Sequence, residues 1–292
     1  MSDTQRKHAY LMIAHTNFEQ VQTLINLLDD PRNDIYLHID KKARHVPAFS
    51  TKHSGLHLIE PINVVWGGHS QIFCELKLME AAAKGHYRYY HLVSGMDLPL
   101  KTQDEIHAFF REHDGQEFMY IDMDASRAGK FHDWVLQYYF FGNLGFHTRK
   151  KIGHGLRLID QILVKVQKAL HIRRKPIFPL YKGCQWFSIT DTLLQYVLSQ
   201  KDAVRKQFRY TFLTDEVFLQ SVAMSSPVRD RIVNNCLREI DWERGEPYTF
   251  RKEDVPMLLA SENLWGRKFD QRVDPEAIEM IAAYFQKSAG HE

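Results

Sequence analysis

An α/β fold, with a mostly parallel sheet flanked by helices, is what this sequence predicts, and three stretches predict it. Ala9 to His15 is an apolar run, and Phe18 to Leu28 places Phe18, Val21, Leu24, Ile25 and Leu28 on one helical face behind Asn17 as cap. Ile35 to Ile39 is a second apolar run, closed by Asp40. Strand, helix and strand at this spacing make a βαβ unit, so the sheet begins parallel. The third stretch runs from Tyr89 through Ser94-Gly95 to Asp97, Pro99 and Thr102. It reads as a buried strand, a tight polar loop and a helix through Phe110, capped by Thr102 with Glu105 three residues on. Gly95 allows a turn or a close approach to a ligand. Ligands in open α/β sheets bind beyond the carboxyl ends of the strands, which makes Asp40 and Asp97 candidate site residues.

Composition narrows the function classes without choosing one. The 292 residues suit one large α/β domain or two small ones, and 44% hydrophobic content is ample for a core. A net charge of +2 argues neither for nor against a polyanionic partner. Cys74, Cys184 and Cys236 are odd in number and far apart, which fits neither a disulfide framework nor a zinc site and suits a reducing compartment. Met1 to His8 lacks the apolar core of a signal peptide, and no run approaches the roughly 18 apolar residues of a membrane span. A cytoplasmic protein is therefore expected.

The remaining elements follow in order. Leu56 to Glu60 and Val64 to Trp66 read as short strands, then Gly67-Gly68-His69-Ser70 leads into a helix from Gln71 to Lys84 with Ser70 as its cap. A Gly-Gly turn before a helix can offer free backbone N–H groups to an anion. Glu117 to Asp122 is a strand that ends in Asp122-Met123-Asp124. Phe131 to Phe141 is aromatic, suited to sugar stacking or to a core. From His147 to Lys175, nine Lys and Arg face one acid, Asp160, around an apolar helical stripe. Such a helix can lie on an anionic membrane surface, the inner face for a cytoplasmic protein, or pack on the domain with a solvated basic face. No motif supports nucleic-acid binding. Gly183 to Thr190 is an alternating strand before a helix from Asp191 to Ser199, Leu237 to Trp242 is a last strand, and Pro275 to Lys287 a terminal helix.

Ser-Gly-Met-Asp-Leu-Pro-Leu-Lys-Thr, residues 94–102, closely resembles the Ser/Cys-Gly-x-Asp-Phe/Tyr-Pro-Ile/Leu-Lys-Thr/Ser signature of the core-2/I-branching glycosyltransferases, which include the peptide xylosyltransferases. Further likenesses fall in family order. They are His38-Ile39-Asp40, Trp66-Gly67-Gly68-His69-Ser70, Gly183 to Thr190, Thr211 to Gln220, Ile240-Asp241-Trp242 and Leu264 to Asp270. Together they span nearly the whole chain except the region around 123–180.

The resemblance implies a GT-A fold in one domain over 1–292, with a nucleotide-sugar half to about 120 and an acceptor half from about 121. It implies a bacterial-type, inverting transferase that moves a sugar from a UDP-sugar, N-acetylglucosamine first, to a glycan or glycolipid hydroxyl. Glu216 is then the general base, because the attacking hydroxyl must lose its proton. His15, Asp40, Gly67, Ser70, Asp97, Arg267 and Lys268 are implied as donor-binding, and Asp124 and Trp242 as acceptor-binding. No metal or other cofactor is implied, with Arg267 and Lys268 meeting the diphosphate; Asp122 and Asp124 as metal ligands are the competing reading.

Two departures bear on this. Gln185 stands where the xylosyltransferases have Asp, and Leu213-Thr214 stands where Ser-Pro is usual before Asp215-Glu216. A transferase using UDP-xylose or another donor is one alternative. A non-catalytic sugar- or membrane-binding protein with the same fold is the other.

Overall fold

The computed structural model describes residues 6–123, 128–144 and 151–289, so Asp124 and the first part of the basic segment lie outside the described residues. β1 (His8–Ala14), α1 (Phe18–Leu28) and β2 (Asn33–Ile39) form the expected βαβ unit, with β1 and β2 parallel along their full length. β3 (Gly55–Ile59) pairs parallel with β2, and β4 (Tyr89–Ser94) pairs parallel with the other edge of β1. The chain thus winds one way through β1, β2 and β3 and then returns to the opposite side of β1. That reversal is a topological switch point, where the strand ends diverge and leave a crevice.

Beyond β4 the sheet changes direction. β6 (Glu117–Ile121), β7 (Gly183–Thr190) and β8 (Ile232–Asn234) complete the seven-stranded order β3-β2-β1-β4-β7-β6-β8, with β7 antiparallel to both neighbours. A three-stranded sheet joins β5 (Asp97–Pro99), β10 (Trp265–Arg267) and β9 (Arg238–Ile240). Strand alternation explains the two cores. Ala9 and Leu11 face α2 (Ser70–Ala82), α6 (Asp191–Ser199), α7 (Lys201–Phe208) and α8 (Asp215–Ala223). Tyr10 and Met12 face α1, α3 (Gln103–Glu112), α9 (Val255–Ala260) and α10 (Pro275–Ala289). α4 (Ala128–Leu136) and α5 (Lys151–Ala169) fall between β6 and β7.

Several local expectations need correction. Asn17 does not cap α1 with its side chain; it adopts φ 54°, a left-handed conformation Asn tolerates, and donates to Asp270 Oδ1 at 2.9 Å. Val64 to Trp66 is not a strand, because its backbone donors are taken by side chains: Val64 N–H by Asp40 and Val65 N–H by Ser70 Oγ. Ser70, occupied in this way, does not cap α2. Thr102 and Glu105 do form the predicted capping box. Gly95 approaches a helix closely: a Cβ there would sit 2.8 Å from Val21 Cγ2.

Candidate active site

A cavity of about 300 Å³ opens at the switch point, beyond the carboxyl ends of β1, β2 and β4. His15, Asp40, Lys42, Trp66, Gln71, Ser94, Gln185, Trp186 and Arg267 are on its wall. The fold therefore gathers His15, Asp40 and Arg267, which lie up to 252 residues apart in sequence, around one opening. A larger cavity, about 690 Å³, has His69 of the 66–71 turn in its wall, and none of the described candidate site residues lines it.

Asp40 is buried at the end of β2 and held by three bonds. Its Oδ1 accepts from Lys42 N at 2.8 Å, and its Oδ2 meets Lys42 Nζ at 2.8 Å and Val64 N at 3.3 Å. His15 stands at the mouth; partial burial lowers its pKa, Asp40 opposes that, and Arg272, Lys42 and Lys268 add to the lowering. Lys42 and Arg267 are on the wall itself, whereas Lys268 and Arg272 are not and act on His15 through their charge. Lys268 shows no salt-bridge partner among the described residues, and burial with Arg267 beside it lowers its pKa. Arg272 is engaged by Asp270 at 2.7 Å, and that contact pulls the Asp270 carboxyl well below the usual carboxylate range.

Asp97 does not line the cavity. It is completely buried beneath it and accepts from Arg267 Nη1 at 2.7 Å and from the Ser94 amide at 2.9 Å, with Arg238 Nε 3.9 Å away. Arg238 is the residue that sequence reasoning missed. Burial pulls its guanidinium down from its usual range and Asp97 pushes back; it also donates to the Leu92 and Cys236 carbonyls. Trp186 completes the stack, with Arg267 4.3 Å and Arg238 5.2 Å from its ring centre. An Arg inside an apolar strand signals a buried acid, and Arg238 in Leu-Arg-Glu-Ile carried that signal. Asp97 thus meets Arg267 from below and does not face the cavity.

Gly67 and Ser70 are not on the cavity wall; their neighbours Trp66 and Gln71 are. The turn's amides are not free for an anion, since Gly67 N–H goes to Gln71 Oε1 and Gly68 N–H to Val65 O. The turn receives another segment instead. Gly67 O accepts from Leu213 N at 2.8 Å, and Gly68 bridges Phe212. Gly67 has φ +72°, and a Cβ there would press on Leu213 and Phe212 at 3.1 Å. Leu213 is itself at φ 49°, a strained value for a branched residue and characteristic of functional loops.

That bridge sets the start of α8 against the cavity wall. Gln71 Nε2 reaches Asp215 Oδ2 at 3.3 Å, and half-buried Asp215 is pushed up to about 7 by burial, then by Glu216. Glu216 points to partly exposed surroundings, 3.3 Å from Lys182 Nζ. Gln185 Nε2 donates to Glu75 Oε1 at 2.8 Å, and burial raises the Glu75 carboxyl well above its ordinary range. Trp242 is 61% exposed and lies two residues past Ile240, which pairs with Arg267. Asp124 is outside the described residues, and among those described no three His, Cys, Asp or Glu form a metal-holding group. Cys184 and Cys236, distant in sequence, are hydrogen-bonded free thiols.

The sequence profile of the Core-2/I-Branching enzyme family matches residues 8–260. The chain belongs to that glycosyltransferase family. Its mixed α/β architecture, with a mostly parallel sheet between helices, agrees with the GT-A arrangement expected from the motifs. Xylosyltransferase 2 of Canis lupus familiaris is 22% identical over 313 residues, covering 94% of this chain and 33% of that protein. Xylosyltransferase 1 of Rattus norvegicus is 23% identical over 309 residues, covering 94% and 35%. The chain thus spans about a third of the length of the curated relatives it matches. Among solved structures, mouse Xyloside xylosyltransferase 1 in its apo form aligns with a TM-score of 0.37 and 10% identity, over 89% of this chain and 96% of that one.

Proposed function

We propose that this protein transfers a sugar, N-acetylglucosamine first, from a UDP-sugar to a hydroxyl of a glycan or glycolipid, with inversion at C1. The observation that carries the reading is the set of cations at the switch-point cavity, with Arg267 and Lys42 on its wall and Lys268 and Arg272 within electrostatic reach of His15. As the bond from C1 to the β-phosphate oxygen breaks, negative charge grows on the departing UDP. Fixed cations near that oxygen stabilise the transition state more than the ground state. The Asp97 carboxylate keeps Arg267 oriented, and Lys268 has no salt-bridge partner among the described residues. These side chains would do the work of a divalent ion, so metal-independent transfer is part of the proposal.

On the acceptor side, Glu216 takes the hydroxyl proton while the oxygen attacks C1. Lys182 Nζ lies 3.3 Å from the Glu216 carboxylate, and Gln71 with Asp215 ties its helix to the donor wall. Asp40 accepts hydrogen bonds from the nucleoside, and exposed Trp242 offers an aromatic face to the acceptor. A cytoplasmic location goes with free, adjacent Cys184 and Cys236, and a peripheral membrane contact with the basic segment.

UDP-xylose is the second donor to weigh, because the relatives named above are xylosyltransferases. Gln185, bonded to Glu75 where that branch has Asp, argues against a peptide xylosyltransferase. Release of UDP from a panel of UDP-sugars tests both. UDP-N-acetylglucosamine should be consumed fastest; preference for UDP-xylose would reassign the donor, and no turnover despite UDP binding would point to a binding protein.

A further inference from the structure

We propose that α5 and the basic groove at its carboxyl end are a docking surface for a bilayer containing anionic lipid. α5 leaves much of its apolar surface exposed, whereas an ordinary surface helix hides its apolar face. The only fully buried side chains of α5 among the described residues are polar, Asp160 and Gln167, with Leu156, Leu163 and Val164 half-buried beside them. Asp160 accepts from the Phe140 and Phe141 amides, each at 3.0 Å. Gln167 bonds the amide and the carbonyl of Tyr138 at 2.8 and 3.0 Å. These four bonds fix the roll of the helix. Leu158, Ile159, Ile162, Val166 and Leu170 consequently face outward, with exposures from 45% at Ile159 to 64% at Leu170. Ile172 and Ile177 extend the apolar surface past the helix end.

Charge selects the occupant. Past α5 the chain enters the wall of the 690 Å³ cavity, where Arg174, Lys175, Arg205, Lys206 and Arg209 gather with no acid among the described lining residues. Phe73, Tyr138 and Tyr210 are interleaved with them. The one acid of α5, Asp160, points inward and is consumed by backbone bonds. A second copy of this chain would set cation against cation across the contact. A bilayer offers an apolar interior to the stripe and anionic headgroups to the groove, the combination that holds amphipathic helices at membrane interfaces. No helix among the described residues is long and apolar enough to cross a membrane, so the contact is peripheral. The inference does not rest on the transferase reading.

Sedimentation of the full chain with phosphatidylcholine vesicles, with and without phosphatidylglycerol, tests it. Binding should be about tenfold stronger with the anionic lipid. It should be lost near 1 M salt, where the screening length falls to about 3 Å. Ile162→Ser/Val166→Ser and, separately, Lys206→Glu/Arg209→Glu should each weaken binding about tenfold while leaving the melting temperature and UDP affinity unchanged. Equal partitioning onto the two vesicle types, or variants that sediment like the parent, would overturn the proposal. Self-association of the parent that Ile162→Ser/Val166→Ser abolishes would assign the face to a second copy and overturn it as well. Vesicle binding by a chain that does not bind UDP would leave docking standing and remove the functional reading instead.

Discussion

At the strand ends, charged groups are buried and paired; on α5, two polar side chains are buried while an apolar stripe stays exposed. In the first region Asp97, Arg238 and Arg267 lock one another beneath the cavity, so the atoms that face a ligand are placed before it arrives. In the second, Asp160 and Gln167 spend their hydrogen bonds on the 138–141 loop and leave a face that the fold does not use. Buried polar bonds set orientation in both. The difference lies in what they present: cations toward a small anionic ligand, or a hydrophobic stripe toward an apolar surface.

The contrast can be broken at its strongest point. Asp97→Ala would strand two guanidinium groups, one completely buried, and removal of one partner of such a pair costs about 3–5 kcal/mol. Urea unfolding should show a destabilisation of that size, or no folded protein; a midpoint near the parent's would mean that Arg238 does not depend on Asp97. Next in size is Glu216→Gln. It should keep UDP binding and lose on the order of a hundredfold or more in turnover, as general-base removal does. Transfer at the parent rate would take Glu216 out of the base role.

A smaller effect sharpens the electrostatics of the α8 start. Asp215 is raised to about 7 in the folded protein, against about 3.9 for an unfolded Asp. Between those values the native state holds a proton that the unfolded chain has released, so stability falls as pH rises through the window. The neutral, buried His8, His91 and His107 act with the opposite sign below about pH 6.5. The difference between parent and Asp215→Asn is therefore the quantity to read in thermal melts. It should flatten with Asn at this position, and a slope identical to the parent's would contradict the raised carboxyl. The smallest effect is expected at Leu158→Ser, which should change stability by no more than about 0.5 kcal/mol because the side chain already faces water. A loss of several times that would mean the stripe belongs to the core.

Most of the fold was legible because it is written locally. The apolar spacing of residues 18–28, the Thr102–Glu105 box and the alternation of 183–190 each determine an element from neighbours alone, and α1, α3 and β7 lie where those signals put them. Short elements held by distant partners were not legible. β8 and α7 went unnoticed, and Val64 to Trp66 resembled a strand until Asp40 and Ser70 claimed its amides. At the site, His15, Asp40 and Arg267 were identified and do share one cavity. Asp97 was identified with the wrong expectation of contact, since sequence reports a carboxylate at a strand end but not which side of the chain it faces. Arg238 was passed over because its partner lies 141 residues away. The roll of α5 was equally hidden: its periodicity gives an apolar stripe, and only the bonds of Asp160 and Gln167 decide which way the stripe looks.

The central claim is that fixed cations at the switch-point cavity bind the diphosphate of a UDP-sugar. Calorimetric titration of UDP into the protein in excess chelator tests it directly, with Lys268→Ala alongside. The parent should bind UDP without added metal, and the variant about tenfold more weakly, as expected for loss of one charge-assisted contact. Binding that appears only with manganese, and is then indifferent to Lys268, would contradict the account and return attention to Asp122 and Asp124.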